Sequence, residues 1–457
     1  MTIATPSPAS TAARWLPPDD GQRTELHDEV HARPSTRIRL PALVVYVAVL
    51  NEGVSREDER RHLQRLPGQQ DLDAAALRGN FVRLRFPGGT LKWERHSEFT
   101  RYSLVQPLND RVWASDPILP PADPPLLSDL AVPGEWLREI PGRTVAAITL
   151  AMVTEPLDDA PAALARARAW FAERPVVASL MGGGHSCVVT DFLIQPGGFE
   201  RLLVMAPPGT TPSRAGRISQ RLLEMETYRL MALRGLPVAK ALGPTLQDTE
   251  RGLSEITASL EDTAASDQAL LDRLTGLAAR VERATADNGY RFAATAAYDA
   301  IVRQRIAELR ERAIPGTQTI GEFMQRRLSP AIATVAATGQ RLGALSQRIE
   351  RAGALLRTRV DIATETQNQQ LLAKLTRGQE LQLRLQSTVE GLSIAAISYY
   401  VVSLVLYGAK ALKGAGLGEA IGLAINPELV AGASIPLVLW GVWRTVRRIH
   451  ASLHERV

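Results

Sequence analysis

The chain has 457 residues, with 53 basic and 48 acidic side chains and a formal net charge of +5 at pH 7. This charge is small for the length, and the basic residues are not interleaved with aromatic ones, so a nucleic-acid partner is disfavoured. The single cysteine cannot form an internal disulfide, which is typical of proteins in a reducing compartment. The length leaves room for about two soluble units and a membrane anchor.

The first half of the sequence predicts an α+β cytoplasmic domain at residues 22–210, after a leader at residues 1–21 that is rich in Pro, Ser and Ala. The leader has no apolar core, unlike a secretory signal, and we expect it to be disordered. Strands are predicted at residues 37–50, 81–86, 90–96, 99–105, 145–153, 188–194 and 199–205, and helices at residues 23–31, 55–66 and 161–172. These elements indicate one mixed or antiparallel sheet with helices on a face.

The pattern of residues 213–388 predicts a helical bundle with a long stalk helix. Helices are expected at residues 213–234, 245–288 and 290–313, with Ser213 as the N-cap of the first and residues 235–244 as an interruption. Beyond residue 317 nothing breaks the helical pattern before the first apolar segment, so this helix would be about 130 Å long. A seven-residue repeat in it, accompanied by a row of mostly small residues, predicts a coiled-coil seam at Val335, Leu342, Ile349, Leu356 and Ala363.

Two apolar segments, residues 389–409 and 429–446, lie near the end of the sequence. Each has about the 20 residues that cross the roughly 30 Å hydrocarbon core of a bilayer. Trp440 and Trp443 fall near the expected interfaces with water. A buried hairpin of a soluble domain is the alternative, but buried helices of this length seldom carry so little charge. The sequence therefore predicts a C-terminal two-helix transmembrane hairpin with a short external loop at residues 410–428.

Basic residues predict the orientation of this hairpin, because positively charged flanks stay in the cytoplasm. The loop carries two basic residues, and the outer flanks carry seven, at positions 374, 377, 384, 444, 447, 448 and 456. Both termini are therefore expected in the cytoplasm, with residues 447–457 as a basic tail. The lipid bilayer is the expected partner, and the arginines between residues 444 and 448 are expected to contact anionic lipid headgroups.

One group of candidate site residues lies on a predicted strand. Lys92, Glu94 and His96 share one face of this strand. Trp93 and Arg95 share the other face. Ligand binding would need these groups to converge, whereas cross-strand salt bridges around a packed tryptophan explain them without a ligand. The second interpretation is favoured.

Three further polar features of the α+β domain have a structural interpretation beside a functional one. His31 and Arg33 precede Pro34, where they either bind a ligand or compensate the dipole at a helix end. Residues 182–186, Gly-Gly-Gly-His-Ser, suggest a phosphate loop, but the required Lys-Ser/Thr is absent and a strand follows, so we reject that interpretation. Asp191 is polar in an apolar strand, and a partner in a turn or in the ladder is favoured for it.

The most charged group lies on the first helix beyond residue 212. Arg217, Arg221 and Glu224 share one helix face at spacings of four and three, so Arg221 and Glu224 can form an ion pair. Glu224 and Glu226 point about 200° apart on a helix and cannot bind one metal ion together. A buried structural network is favoured over a ligand site.

Several motifs resemble those of a known family. They occupy residues 28–34 (Asp-Glu-Val-His-Ala-Arg-Pro), 91–99 (Leu-Lys-Trp-Glu-Arg-His-Ser-Glu-Phe), 190–192 (Thr-Asp-Phe) and 216–237. Together they resemble the domain of unknown function 3422 family of bacterial membrane-anchored proteins, over nearly the whole chain from about residue 26. The resemblance implies this architecture and a location in the bacterial inner membrane, and it brings no known activity. The motif residues whose role it leaves unknown are His31, Arg33, Trp93, Glu94, Arg95, His96, Asp191, Arg217, Arg221, Glu224 and Glu226.

A weaker resemblance concerns architecture. A cytoplasmic α/β body, a long helix that enters the first of two C-terminal spans and a basic tail resemble the CorA-type divalent-metal channels. That family has Tyr-Gly-Met-Asn at the end of the first span, whereas this chain has Tyr-Gly-Ala-Lys at residues 407–410. The lysine would place positive charge where a divalent cation enters, which disfavours metal selectivity. The pore and entrance residues that the resemblance implies are Tyr400, Ser403, Tyr407, Gly408 and Lys410.

Two functional hypotheses remain after these observations. The sequence contains no His/Cys ligand spacing, zinc-protease motif or nucleophile elbow, so we expect no catalytic residue, no metal, no cofactor and no enzyme activity. The first hypothesis is a membrane-anchored cytoplasmic binding or scaffold protein that forms a homo-oligomer. The alternative is a CorA-like oligomeric ion transporter or channel with altered selectivity.

Overall fold

The computed structural model describes residues 20–23, 26–27, 35–109, 112–113, 125–260, 266–414 and 426–454. His31 and Arg33, most of the predicted leader and most of the predicted external loop lie outside these residues. The chain divides into two units, Met1–Ala352 and Gly353–Val457.

Within its described residues, the first unit contains a nine-stranded mixed sheet. Its strands are β1 (Ala42–Leu50), β2 (Phe81–Phe86), β3 (Gly89–Arg95), β4 (Phe99–Pro107), β5 (Arg143–Thr154), β6 (Val177–Met181), β7 (Ser186–Ile194), β8 (Glu200–Ala206) and β9 (Arg312–Ala313). They lie in the order β2-β3-β4-β1-β5-β8-β7-β6-β9, and only β5 and β8 of the described neighbours are parallel. All seven predicted strands are confirmed, whereas β6 and β9 were not predicted because they are too short to show a periodic pattern.

The burial of the central strand β1 shows that the sheet is covered on both faces. All nine of its residues are buried. Leu43 and Val45 belong to one hydrophobic core, and Val44 and Tyr46 belong to a second core on the other face of the sheet. A strand that is buried on both faces has a continuous apolar sequence. Helices therefore cover both faces of the sheet, and not one as the sequence suggested.

The helices of the first unit supply these two covers. They are α1 (Arg56–Gln64), α2 (Gly134–Arg138), α3 (Ala160–Trp170), α4 (Pro212–Leu233), α5 (Gly235–Ser259), α6 (Asp267–Leu309) and α7 (Ile320–Arg327). Leu63 of α1, Trp136 of α2 and Leu164 of α3 pack in the first core. Leu222 of α4 and Val302 of α6 pack in the second.

Some predicted helix boundaries are wrong. Thr211, and not Ser213, is the N-cap of α4, because its side chain accepts the hydrogen bond from the third helical amide. Residues 235–244 are helical, since α5 runs through them despite an internal proline. The predicted helices at residues 245–288 and 290–313 are not separated at Gly289, because this glycine lies inside α6. Glycine costs a helix only about 1 kcal/mol, which burial of the apolar face of α6 outweighs.

Helix α8 (Ser329–Gly414) begins in the first unit and continues into the second. In the first unit, Val335, Leu342 and Ile349 of the predicted seam are 2%, 4% and 6% exposed. Nearby, Arg341 Nη2 lies 2.8 Å from Glu250 Oε2 of α5. This part of the seam is therefore covered by helices of the same chain.

The second unit contains the rest of α8 and the helix α9 (Pro427–His454). Each of these helices has a segment long and apolar enough to cross a membrane, and only 6% of each segment is buried. Leu404 of α8 and Leu437 of α9 are 70% and 71% exposed. The length and composition of these segments indicate membrane association.

Candidate functional site

A buried ionic network lies where the sheet meets helix α4. On β3, Lys92 Nζ lies 3.1 Å from Glu94 Oε1. Arg101 of β4 is the cross-strand neighbour of Glu94, and its guanidinium donates hydrogen bonds to both oxygens of that carboxylate. All three side chains are buried. The cross-strand salt bridge that the sequence predicted for this strand is present.

Glu224 of α4 joins the sheet to the helices. Arg101 Nη1 lies 3.2 Å from Glu224 Oε1, and Arg305 Nε of α6 donates a hydrogen bond of 2.7 Å to Glu224 Oε2. Arg221 Nε instead lies 3.2 Å from Glu308 Oε2. The predicted ion pair between Arg221 and Glu224 is therefore wrong, because Glu224 turns toward the arginine of the sheet.

Burial and pairing act in opposite directions on the charges of this network. Burial raises the pKa of the Tyr46 phenol, whose oxygen lies 2.7 Å from Thr227 Oγ1. Burial lowers the pKa of Lys92 against the attraction of Glu94. Burial alone would raise the pKa of Glu94, but Arg101 and Lys92 hold it below its ordinary value. Glu94 is therefore ionised at neutral pH, and its charge is compensated by buried cations.

The space inside this network is too small for an organic ligand. The cavity has a volume of about 20 Å³ and is lined by Tyr46, Lys92, Glu94, Arg101 and Gln220, among others. A cavity of this volume holds about one water molecule. The network can therefore hold the sheet against α4 and α6, and it offers no room for a substrate.

Glu226 belongs to a second buried cluster. Arg229 Nε donates a hydrogen bond of 2.8 Å to Glu226 Oε1, and Arg229 Nη2 lies 3.3 Å from Glu200 Oε1. Burial, followed by the charge and hydrogen bond of Glu226, raises the pKa of Glu200 to about 9. Burial therefore favours the protonated form of Glu200 over its charged form. Glu224 and Glu226 point into different clusters, as helix geometry predicted.

The other candidate residues of β3 and its following turn make structural contacts. Trp93 is fully buried in the first core. Arg95 Nη1 lies 2.7 Å from Glu59 Oε2 of α1. The ring of His96 stacks on Phe99, with 4.6 Å between the ring centroids. These residues do not converge on one cavity with Glu94, because they lie on opposite faces of the sheet or beyond its end.

Asp191 lies at an irregularity of β7, where the register to β8 shifts. Its Oδ1 accepts a hydrogen bond of 3.2 Å from the backbone amide of Leu193, and its Oδ2 lies 3.4 Å from Arg174 Nη1. Phe192 has a φ of 51°, a conformation that side chains rarely adopt. The predicted role of Asp191 as a partner within a turn is consistent with these bonds.

Arg217 lies apart from both buried clusters and is exposed. Together with Arg214, Arg221 and Arg310 it lines a cleft of about 250 Å³. The glycine-rich segment at residues 182–184, which the sequence suggested and then excluded as a phosphate loop, forms the turn beside this cleft. The sequence analysis did not predict this cleft, although the spacing of three of its arginines along α4 was visible in the sequence. Arg310 is far away in the sequence, so only the fold brings it to them.

The residues proposed for a pore lie on α8 in the second unit. Tyr400 and Tyr407 are 68% and 66% exposed, and Gly408 and Lys410 are also exposed, whereas Ser403 is half-buried. The helix continues to Gly414, beyond the predicted end of the first span at residue 409. Tyr-Gly-Ala-Lys therefore lies within a helix and not in the loop that follows it.

Comparison with known protein families identifies the family of this chain. Residues 18–453 match the family described as Protein of unknown function (DUF3422). The chain belongs to the DUF3422 family. This confirms the resemblance of the sequence motifs, and no curated protein matches the chain. Among the described residues of this DUF3422 protein, no group of three or more His, Cys, Asp or Glu side chains could hold a metal ion.

Proposed function

We propose that this chain is a membrane-anchored cytoplasmic protein whose first unit binds a partner or ligand. The observation that carries this proposal is the exposure of two apolar helices in the second unit. Apolar surface in water costs about 25 cal/mol per Å², and soluble monomers rarely expose large continuous patches. A soluble hairpin would bury most of these helices, whereas only 6% of each apolar segment is buried.

The proposed arrangement has two spans in the bacterial inner membrane and both termini in the cytoplasm. The distribution of basic residues supports it, as do two contacts near the end of α9. The Arg444 guanidinium lies 5.0 Å from the ring centroid of Trp440, and that of Arg447 lies 4.9 Å from Trp443. Tryptophan and arginine together are typical of the headgroup layer, where the arginines would meet anionic lipids.

The proposed protein is a homo-oligomer. The register of the seven-residue pattern slips by one residue near Gln370, and the pattern resumes at Leu371, Gly378, Leu385 and Leu392. The three leucines are 59%, 67% and 73% exposed in the single chain. A second copy of the helix would cover such a row in a coiled coil. We expect native mass spectrometry of the full chain in mild detergent to give more than one subunit, and a monomer would contradict this part of the proposal.

The anchor is tested by removing residues 389–457. Membrane fractionation should find the full chain with the membranes and the shortened chain in the soluble fraction. Circular dichroism and limited proteolysis should show that the shortened chain is folded. A folded shortened chain that stays with the membranes would contradict the simple anchor, because another segment would then hold it there.

Transport is the second candidate function. It is supported by the polar face of the first span, where Ser393, Tyr400, Ser403 and Tyr407 lie at helical offsets of 0, 7, 10 and 14. In a reconstituted oligomer, Lys410→Asn should change the ion selectivity or the flux, because it removes a ring of positive charge. Unchanged flux in a correctly assembled sample would count against a pore at this position.

A further inference from the structure

A cleft in the first unit has an unusual excess of positive charge. It opens between the start of α4, the end of α6 and the turn that joins β6 to β7, and its volume is about 250 Å³. Four arginines line it, Arg214, Arg217, Arg221 and Arg310, and Glu308 is the only acidic residue among its described lining. The cleft therefore has about three positive charges that it does not neutralise itself.

Three of the four guanidinium groups are available to a ligand. Within the described part of the chain, no acidic side chain lies within ion-pair distance of Arg214, Arg217 or Arg310. Arg221 shares Glu308 with Arg305, whose Nη1 lies 2.9 Å from Glu308 Oε1. The guanidinium groups that line this one cleft repel each other, and a bound anion would relieve this repulsion.

The walls of the cleft are held in place by hydrogen bonds of the backbone. The amide of Gly182 donates to the carbonyl of Leu309 at 2.8 Å, and the amide of Gly183 donates to the carbonyl of Arg310 at 3.2 Å. These bonds join the glycine turn to the end of α6. Both glycines have positive φ values, 64° and 75°, so other residues would strain this turn. A fixed wall lowers the entropic cost of binding.

The floor and one end of the cleft strengthen its attraction for anions. Met181, Ile218 and Leu309 are buried beneath the arginines, and an apolar floor lowers the local dielectric constant. The positive end of the dipole of α4 lies at Pro212, two residues before the first arginine of the cleft. The dipole of α4 therefore adds to the charge of the arginine side chains, whereas the negative end of the dipole of α6, at Leu309, opposes it.

We propose that this cleft binds a phosphate group that carries about two negative charges, as in a phosphomonoester or a diphosphate. Guanidinium groups donate paired hydrogen bonds to phosphate oxygens, and several of them can bind one tetrahedral group at once. A carboxylate offers only two oxygens and one charge, too few for the excess in this cleft. The phosphate belongs either to a free small molecule or to a lipid headgroup. The site lies within the first unit and does not depend on the proposed membrane anchor.

The test uses the full-length protein in a maltoside detergent at low ionic strength. Isothermal titration calorimetry measures binding of pyrophosphate to the wild type, to Arg217→Glu and to Arg280→Glu. Arg217 is exposed and has no described ion-pair partner, so its replacement is expected to leave the fold intact. Arg280 is the matched control, because it is exposed on α6 at about 44 Å along the helix from its end.

We expect pyrophosphate to bind the wild type and Arg280→Glu equally, and to bind Arg217→Glu at least about tenfold more weakly, as the loss of a charge-assisted hydrogen bond implies. Thermal unfolding gives a second readout, since a bound ligand raises the melting temperature of the wild type but not that of Arg217→Glu. Absence of binding, or equal weakening by both substitutions, would overturn the proposal.

The source of the phosphate is distinguished by two further probes in the same measurement. These are glycerol 3-phosphate and dihexanoyl phosphatidic acid, which carry the same phosphomonoester without and with acyl chains. Equal affinities that depend on Arg217 support a free small molecule. Tighter binding of the lipid, again lost in Arg217→Glu, supports a headgroup. Binding of both probes that is insensitive to Arg217→Glu rejects the site.

Discussion

In the first unit, charged side chains such as Arg101 and Glu224 are buried, whereas in the second unit large apolar side chains such as Leu404 and Leu437 are exposed. In most soluble proteins charged side chains are exposed and large apolar ones are buried, so both arrangements need a physical explanation. A buried charge needs an opposite charge nearby, and Arg101 and Glu224 supply this for each other at 3.2 Å. An exposed apolar helix needs a solvent other than water, which the proposed bilayer supplies. The two units therefore meet these requirements in two different surroundings.

The first prediction compares a Leu→Arg substitution in the two units, where it should have different consequences. Leu222→Arg in the first unit should unfold it, because Leu222 is fully buried in the second hydrophobic core, where a guanidinium group would lose its hydration. The cost should exceed about 4 kcal/mol, measured by urea unfolding of the full chain. Leu404→Arg should leave the first unit folded and reduce membrane insertion by about 2.5–3.5 kcal/mol, measured by membrane flotation. Unchanged flotation of Leu404→Arg would end the contrast between the units.

The second prediction concerns the buried ionic network. Glu224→Ala should lower the free energy of unfolding by about 3–5 kcal/mol, because it leaves Arg101 and Arg305 with less compensation in a buried place. Urea unfolding followed by tryptophan fluorescence measures this, since Trp93 and Trp136 lie in the core of the same unit. A loss below about 1 kcal/mol would show that the network is solvated and not buried.

The third prediction uses the pKa of Glu200. Because the folded state raises this pKa to about 9 from 4.5, the folded protein binds more protons than the unfolded one between about pH 5 and pH 9. This group therefore makes the protein less stable as the pH rises through that interval. Glu200→Gln should stay within about 1 kcal/mol of the wild type at pH 6 and should lack this part of the pH dependence. Parallel stability curves for the two proteins would contradict the assigned protonation state.

The smallest effect is expected at the surface pair of Glu250 and Arg341. Their side chains are 35% and 47% exposed, so water screens the attraction between them. Glu250→Ala should change the free energy of unfolding by less than about 1 kcal/mol, in contrast to Glu224→Ala. The same urea experiment measures both variants. A loss as large as that of Glu224→Ala would mean that α5 and α8 depend on this pair to pack.

The strands could be predicted because each carries its own signal. Phe81–Phe86 alternates apolar and charged side chains, and its predicted bounds agree with those of β2. The helix boundaries near Gly289 could not be predicted from local rules, because packing against distant residues decides them. Thr295 of α6, for example, donates a hydrogen bond of 3.1 Å to the carbonyl of Ala232 of α4. No local pattern contains this contact.

The family, seven of the nine described strands and the two apolar segments could be recognised from the sequence alone. The motifs carry the resemblance to the family, and composition and short periodic patterns indicate the strands and the apolar segments. The ion-pair partners of the charged side chains, in contrast, depend on how the chain folds. Arg221 pairs with Glu308, 87 residues away, and not with Glu224 on its own helix. The arginine cleft likewise depends on the fold, because Arg310 joins three arginines of α4 from the far end of α6. Electrostatic partners depend on distance in space, which neighbouring positions in a sequence do not determine.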